Sequence, residues 1–205
     1  MPRIELPDGT TKDFDHPVTP AEVAADIGPG LAKAAIAAKI DGTLSDLTCP
    51  IAHDASLELL TAPRKKQEPD PDALLMLRHS AAHVMAEAIQ RVIPEVQLVY
   101  GPPLEHGFYY DMAVPEDRPI REEDFEAIER EMKSIIDEDR PFTRYELAHD
   151  AGMEKLESEG SKYKIDNAQR ALDAGSTSLS WYATGTPGTD WEDLCRGPHV
   201  PSTGW

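Results

Sequence analysis

The sequence predicts an α+β protein in two parts, on three observations. Residues 1–62 alternate short β-type runs with tight-turn signals around a single short helix. Residues 63–72, PRKKQEPDPD, hold three prolines and mixed charge but no large apolar side chain, the composition of a linker. From Ala73 onward, apolar residues recur at helical spacing in two long stretches with strand-like runs between and after them.

Each element has a local reason. Ile4 to Leu6 run into Pro7-Asp8-Gly9, a tight-turn signal, and Thr11 to Phe14 can return as the partner strand. Thr19-Pro20-Ala21-Glu22 is a capping box with proline at the first helical position, and Gly28-Pro29-Gly30 is expected to stop the helix it starts. AAIAAKI then leads to a second turn at Asp41-Gly42, and SLELLTA at residues 56–62 supplies a final strand. Hairpin, helix and further strands in that order indicate a small β-grasp domain over residues 1–62.

Past the linker, Leu74, Leu77, Ala81, Val84, Ala88 and Ile89 fall on one stripe, so a helix is expected from Ala73 to about Ile93. QLVYGPP and HGFYYDMAV read as strands around Gly101-Pro102-Pro103. Phe125, Ile128, Met132, Ile135 and Ile136 mark a second amphipathic helix from Arg121 to about Asp139, and both helices are expected on one sheet. PFTRYEL, YKI and LSWYAT are strand candidates, with a short helix from Asp150 to about Glu157. Residues 73–205 therefore read as a larger α+β domain, helices packed on a mainly antiparallel sheet.

Composition narrows the function classes. Hydrophobic residues make up 40% and charged residues 28% of 205, ordinary values for a globular chain. No apolar run reaches the roughly 18 residues of a membrane span, and MPRIELPDGT lacks a secretion signal, so a cytoplasmic protein without membrane contact is expected. The two cysteines, Cys49 and Cys195, do not read as a disulfide framework. A formal charge of -18 opposes unaided binding to a polyanion. The acidity is general: residues 1–62 carry 4 basic and 10 acidic side chains, leaving 16 and 28 for the rest.

Two short motifs carry chemistry. In RHSAAHVM, His79 and His83 lie four apart on a helix, so both imidazoles project from one face and can meet one water or one metal. In DLCRGPHVP, Cys195 and His199 form a CxxxH pair around Gly197-Pro198. HxxxH alone is more often a pair of hydrogen-bonded histidines at a domain edge, and a lone cysteine more often a small buried hydrophobe. Two such pairs in one domain favour a shared site. Lys164 and Asp193 read, on charge alone, as solvated surface groups. His16, His53, His106 and His149 lack companions and are assigned to structure or surface.

MPRIELPDGTTKDF, PAEVAADIGPGLAKAAIAAKIDG, RHSAAHVMAEAI, GPPLEHGFYYD and DLCRGPHVPSTG, in this order, resemble the start of bacterial threonyl-tRNA synthetases over nearly the whole chain. The resemblance implies a TGS domain at 1–62, a linker at 63–72 and an editing domain from 73 to 205, truncated at its C-terminal end. The activity implied is proofreading: hydrolysis of serine wrongly attached to threonine-specific transfer RNA, with that RNA's 3′ end and the remainder of a synthetase as partners. A second site has a physical reason, since the one methyl group separating serine from threonine is worth only roughly 1–3 kcal/mol in a binding pocket.

Carried over by position, the resemblance makes His79, His83, Lys164, Asp193, Cys195 and His199 the catalytic set, with Tyr109 and Tyr110 as pocket-lining candidates against the ordinary fate of strand aromatics as core. Related alanyl editing domains hold zinc on the same four-residue pattern, whereas the threonyl domains do not. No cofactor is therefore expected, with zinc at His79, His83, Cys195 and His199 as the alternative. Because the chain ends at Trp205 just after CRGPHVP, it reads as a fragment without the ATP-dependent core, and aminoacylation is not expected of it. The rival to an editing enzyme is a zinc-binding module or a non-catalytic, RNA-binding or regulatory module in which the TGS part acts.

Overall fold

A computed structural model describes residues 1–63 and 68–205; positions 64–67 of the expected linker lie outside the described residues. The chain divides into two compact units, residues 1–78 with 197–201 and residues 79–196 with 202–205.

The first unit is a β-grasp. Strands β1 (Arg3–Glu5) and β2 (Thr11–Asp13) form a hairpin, followed by helices α1 (Pro20–Ile27) and α2 (Pro29–Ala34) and strands β3 (Ala35–Ile40), β4 (Thr43–Ser45) and β5 (Ala55–Thr61). The sheet order is β2-β1-β5-β3-β4; β1 and β5 run parallel and the other pairs antiparallel. The capping box forms as the sequence predicts: Glu22 N–H donates to Thr19 Oγ1, and the Glu22 carboxylate accepts from Thr19 N–H at 2.8 Å. Gly28 ends α1, but Pro29 opens a further turn and a half of helix, because proline suits a first helical position. Ile4, Val18, Val23, Ala38, Ile51 and Leu57 are fully or almost fully buried between helix and sheet.

The second part begins with α3 (Pro71–Val92), then β6 (Gln97–Tyr100), β7 (Pro103–Leu104), β8 (Gly107–Phe108) and β9 (Asp111–Ala113). It continues with α4 (Glu122–Glu138), β10 (Phe142–Ala148), α5 (His149–Ser158), α6 (Lys162–Asp173), β11 (Ser178–Thr184) and β12 (Glu192–Leu194). β10-β11-β12 is an antiparallel sheet, β6 pairs with β9, and β7 with β8. Register puts Tyr145, Trp181 and Leu194 on one face, where they pack with Leu156 of α5 and Ala168 of α6. Phe142, Tyr182, Thr184 and Asp193 share the opposite face.

One expectation is corrected. YKI at 163–165 is no strand but the first turn of α6. Ile165, Ala168 and Leu172 recur at helical spacing and reach the core under β11, so the longer 3.6-residue period outweighs a three-residue β-type run. α5 and α6 take one face of the sheet. α3 meets the other face, with the His83 ring against Phe142 and Glu87 accepting from Thr184. α4 is tied to α3 through Arg91, which meets Glu131 and Glu138.

Candidate active site

The site is built from four elements of the second unit. α3 places His79 and His83 one turn apart, and their rings meet edge to face with centroids 5.2 Å apart. β12 brings Asp193 in, and the residue just beyond it is Cys195, whose Sγ lies 3.2 Å from His79 Nε2. The candidate ligand atoms of His79, His83 and Cys195 all fall within 4.8 Å of one another. α6 contributes Lys164, and the stretch between β8 and β9 contributes Tyr110.

Lys164 and Asp193 are not solvated surface charges. Lys164 is 7% exposed and Asp193 5%, and they form an ion pair of 2.8 Å. The Tyr110 hydroxyl donates a short hydrogen bond to the other Asp193 oxygen and accepts from Lys164 Nζ at 3.0 Å. His83 Nε2 stands 3.8 Å from that same oxygen. An ammonium, a carboxylate and a phenol thus share one hydrogen-bonded cluster, with a buried imidazole beside it.

Their protonation follows from position. Burial lowers His83 to about 3, with the Asp193 charge opposing it, so the ring is neutral near pH 7. Burial pushes the Asp193 carboxyl up, but Lys164, His83 and the Tyr110 hydroxyl together outweigh it and the net shift is downward. Burial, then the Asp193 charge, drives Tyr110 well above the usual phenol range, so it remains a donor. A cavity of about 370 Å³ adjoins the cluster, with Lys164, Asp193, Gln90, Ser161, Trp181 and Trp191 in its wall.

Among the other sequence-derived candidates, Tyr109 is 43% exposed and stays out of the cluster, unlike its neighbour. His199 is buried on the short segment that groups with the first unit, and its backbone N–H donates to Asp46 Oδ1 at 2.7 Å. His16, His53, His106 and His149 are exposed.

Comparison with known proteins gives these residues a context. Residues 2–61 match the TGS domain model. The full chain is 44% identical over 204 residues to threonine--tRNA ligase of Burkholderia multivorans, covering 100% of this chain and 30% of that protein. This chain is a relative of the N-terminal part of threonine--tRNA ligases. The corresponding ligases of Paramagnetospirillum magneticum and Rhodospirillum rubrum are each 46% identical over 99% and 100% of this chain. In both cases, too, the chain spans about 30% of the relative's length.

Several residues that shape this ligase-related site escape a reading by sequence. Trp191 packs edge-on against the His83 ring, with centroids 5.6 Å apart, and its indole N–H donates to Gln90 Oε1 at 2.7 Å. Glu87 is buried one turn beyond His83, accepting from Arg140, from Arg91 at 2.8 Å and from Thr184 Oγ1 at 2.6 Å. The repeat of His79, His83 and Glu87 at four-residue spacing is a signal that could have singled Glu87 out. Trp191 carries no comparable signal, because its partner is 101 residues away.

Proposed function

We propose that this chain hydrolyses the ester linking serine to the 3′ end of threonine-specific transfer RNA. The observation that carries this reading is the buried cluster of Tyr110, Lys164 and Asp193 with neutral His83, set beside the His79–Cys195 pair. Kinship with threonine--tRNA ligases supplies the substrate class.

Ester hydrolysis asks for a positioned water, a base to accept its proton and a donor for the departing ribose oxygen. In this reading His79, less buried than His83, accepts the proton as water attacks the seryl carbonyl carbon. The new C–O bond forms, the bond to the ribose oxygen breaks, and the proton passes to that oxygen. Lys164 polarises the leaving oxygen. Asp193 holds Lys164 and Tyr110 in place and accepts from the seryl hydroxyl or ammonium. His199 enters through its spacing after Cys195 alone. An activated ester with an aligned water needs less assistance than an amide, so the proposed site works by positioning, without a resident metal.

A second reading is zinc hydrolysis, favoured by the nearness of the His79, His83 and Cys195 donor atoms. These nitrogen and sulfur donors are of the type zinc takes, with His199 as the fourth by spacing; a bound zinc would lower the pKa of a water. Elemental analysis of the purified chain separates the two, and stoichiometric zinc would overturn the metal-free version.

The test of the function is direct. Threonine-specific transfer RNA charged with serine or with threonine is incubated with the chain, and release of each amino acid is followed. Faster loss of serine is expected; equal rates, or none above the spontaneous rate, would sink the proposal.

A further inference from the structure

Tyr110 reaches Asp193 and Lys164 across a stretch of backbone that carries no side chain. A Cβ built on Gly101 would stand 2.5 Å from Tyr110 Cε2 and 2.7 Å from its Cγ, with Cδ2 closer still. Carbon atoms rest at about 3.5–4.0 Å, so no methyl group fits there. The clash runs along the edge of the ring from its root outward, where a tyrosine cannot yield by moving its tip. The whole ring would have to swing about its Cα–Cβ bond.

Backbone conformation does not explain this glycine. Gly101 is absent from the glycines with positive φ, and it precedes Pro102, which favours an extended residue that any side chain tolerates. Strand geometry does explain it. Tyr100 pairs with Asp111, so the next step of the antiparallel register sets Gly101 opposite Tyr110. An aromatic ring folding over a cross-strand glycine covers exposed backbone and gains a fixed seat. The far end of the seated ring is the hydroxyl bound to Asp193 and Lys164.

We propose that Gly101 is a positioning residue: its missing side chain is the seat of the Tyr110 ring and so sets where phenol, carboxylate and ammonium meet. The seat stands on geometry alone, whereas its consequence for catalysis rests on the hydrolytic reading above. Gly185 also abuts a side chain, that of Asp190, but its φ of 127° already demands glycine. A Cβ on Gly204 would stand as close to the Asp139 carboxylate, which is not part of the cluster.

A double-mutant cycle on the full chain tests this with two readouts, urea unfolding and release of serine from seryl transfer RNA. Gly101→Ala is expected to lower the unfolding midpoint and to cut kcat by about tenfold or more, as displacement of an aligned group does. In a Tyr110→Ala background the added methyl has room, and Gly101→Ala should change neither readout by more than about twofold, since the two sites share one contact. In a Tyr110→Phe background the stability loss should persist, with no further loss of kcat, because the ring remains while the hydroxyl is gone. Failure of Gly101→Ala to fold, with recovery in the Gly101→Ala/Tyr110→Ala chain, supports the seat equally. An equal stability loss with and without the ring, or none in the single variant, overturns it. A parent chain that releases no serine defeats the hydrolytic reading, while the unfolding cycle still decides the seat.

Discussion

His83 is the residue whose chemistry its surroundings constrain most. It is almost wholly buried, with its ring between His79, Phe142 and Trp191 and its Nε2 toward Asp193. Its folded value of about 3 lies below the ordinary 6.5, so as pH falls through that interval the unfolded chain takes up a proton that the folded chain refuses. Stability contributed by neutral His83 is complete above 6.5 and is lost toward 3, at a limiting slope of about 1.4 kcal/mol per pH unit. Asp193, whose pKa is lowered, adds its own loss only below the ordinary carboxylate range, which leaves the upper part of the interval to His83. Urea unfolding between about pH 7 and about pH 5 should therefore show a shallower dependence in His83→Gln than in the parent. Identical slopes would mean that the ring is not held neutral. His79→Ala and Cys195→Ala act differently: each should cut serine release by about a hundredfold, the scale of general base catalysis, with little change in Tm. A matching collapse of Tm would mark the pair as structural.

At the scale of elements, α3 carries His79 and His83 and is locked in place one turn beyond them. Glu87 gathers Arg91, Arg140 and Thr184, joining α3 to β11 and to the residue that leads into β10. The Arg140 guanidinium is mostly buried, and it also donates to the Thr184 carbonyl. Replacing Glu87 with leucine removes the buried counter-charge of that cation and leaves it only the more exposed Glu138, 2.8 Å from its Nε, a change that costs about 3 kcal/mol. Chemical denaturation should register it, and a loss under about 1 kcal/mol would show the network to be a solvated surface cluster. The capping box of α1 is a smaller lever. Thr19→Ala removes the acceptor for Glu22 N–H and should cost about 1 kcal/mol in the same measurement.

Over the whole molecule, charge sets the terms of any meeting with RNA. The chain holds 20 basic against 38 acidic side chains. Several of its cations are already engaged by carboxylates, among them Arg91, Arg118, Arg140, Lys155 and Lys164. Transfer RNA binding by this chain should therefore be weak and shallow in salt, releasing fewer than about three counterions. Fluorescence anisotropy across a salt series reads that slope directly. A steep slope would reveal a basic track and reverse the expectation. In such a chain the discrimination would lie in the rate of the hydrolytic step, since binding energy from the phosphates is small.

Local pattern was enough for most of the elements and for the pairing of chemical types. The capping box, the two long amphipathic helices, the Asp-Gly turn and the HxxxH and CxxxH spacings are properties of neighbours in the chain, so they can be read before any fold is known. The YKI segment is not legible from local pattern, because three residues cannot distinguish periods of 2 and 3.6. Tertiary structure alone decided the environment of each group: that Lys164 and Asp193 leave water together, that Tyr110 rather than Tyr109 joins them, and that Gly101 makes room for it. The reason is dielectric and steric. A side chain's charge state and its room to move depend on what packs against it, and Tyr110 lies 83 residues from Asp193 and 54 from Lys164 in sequence.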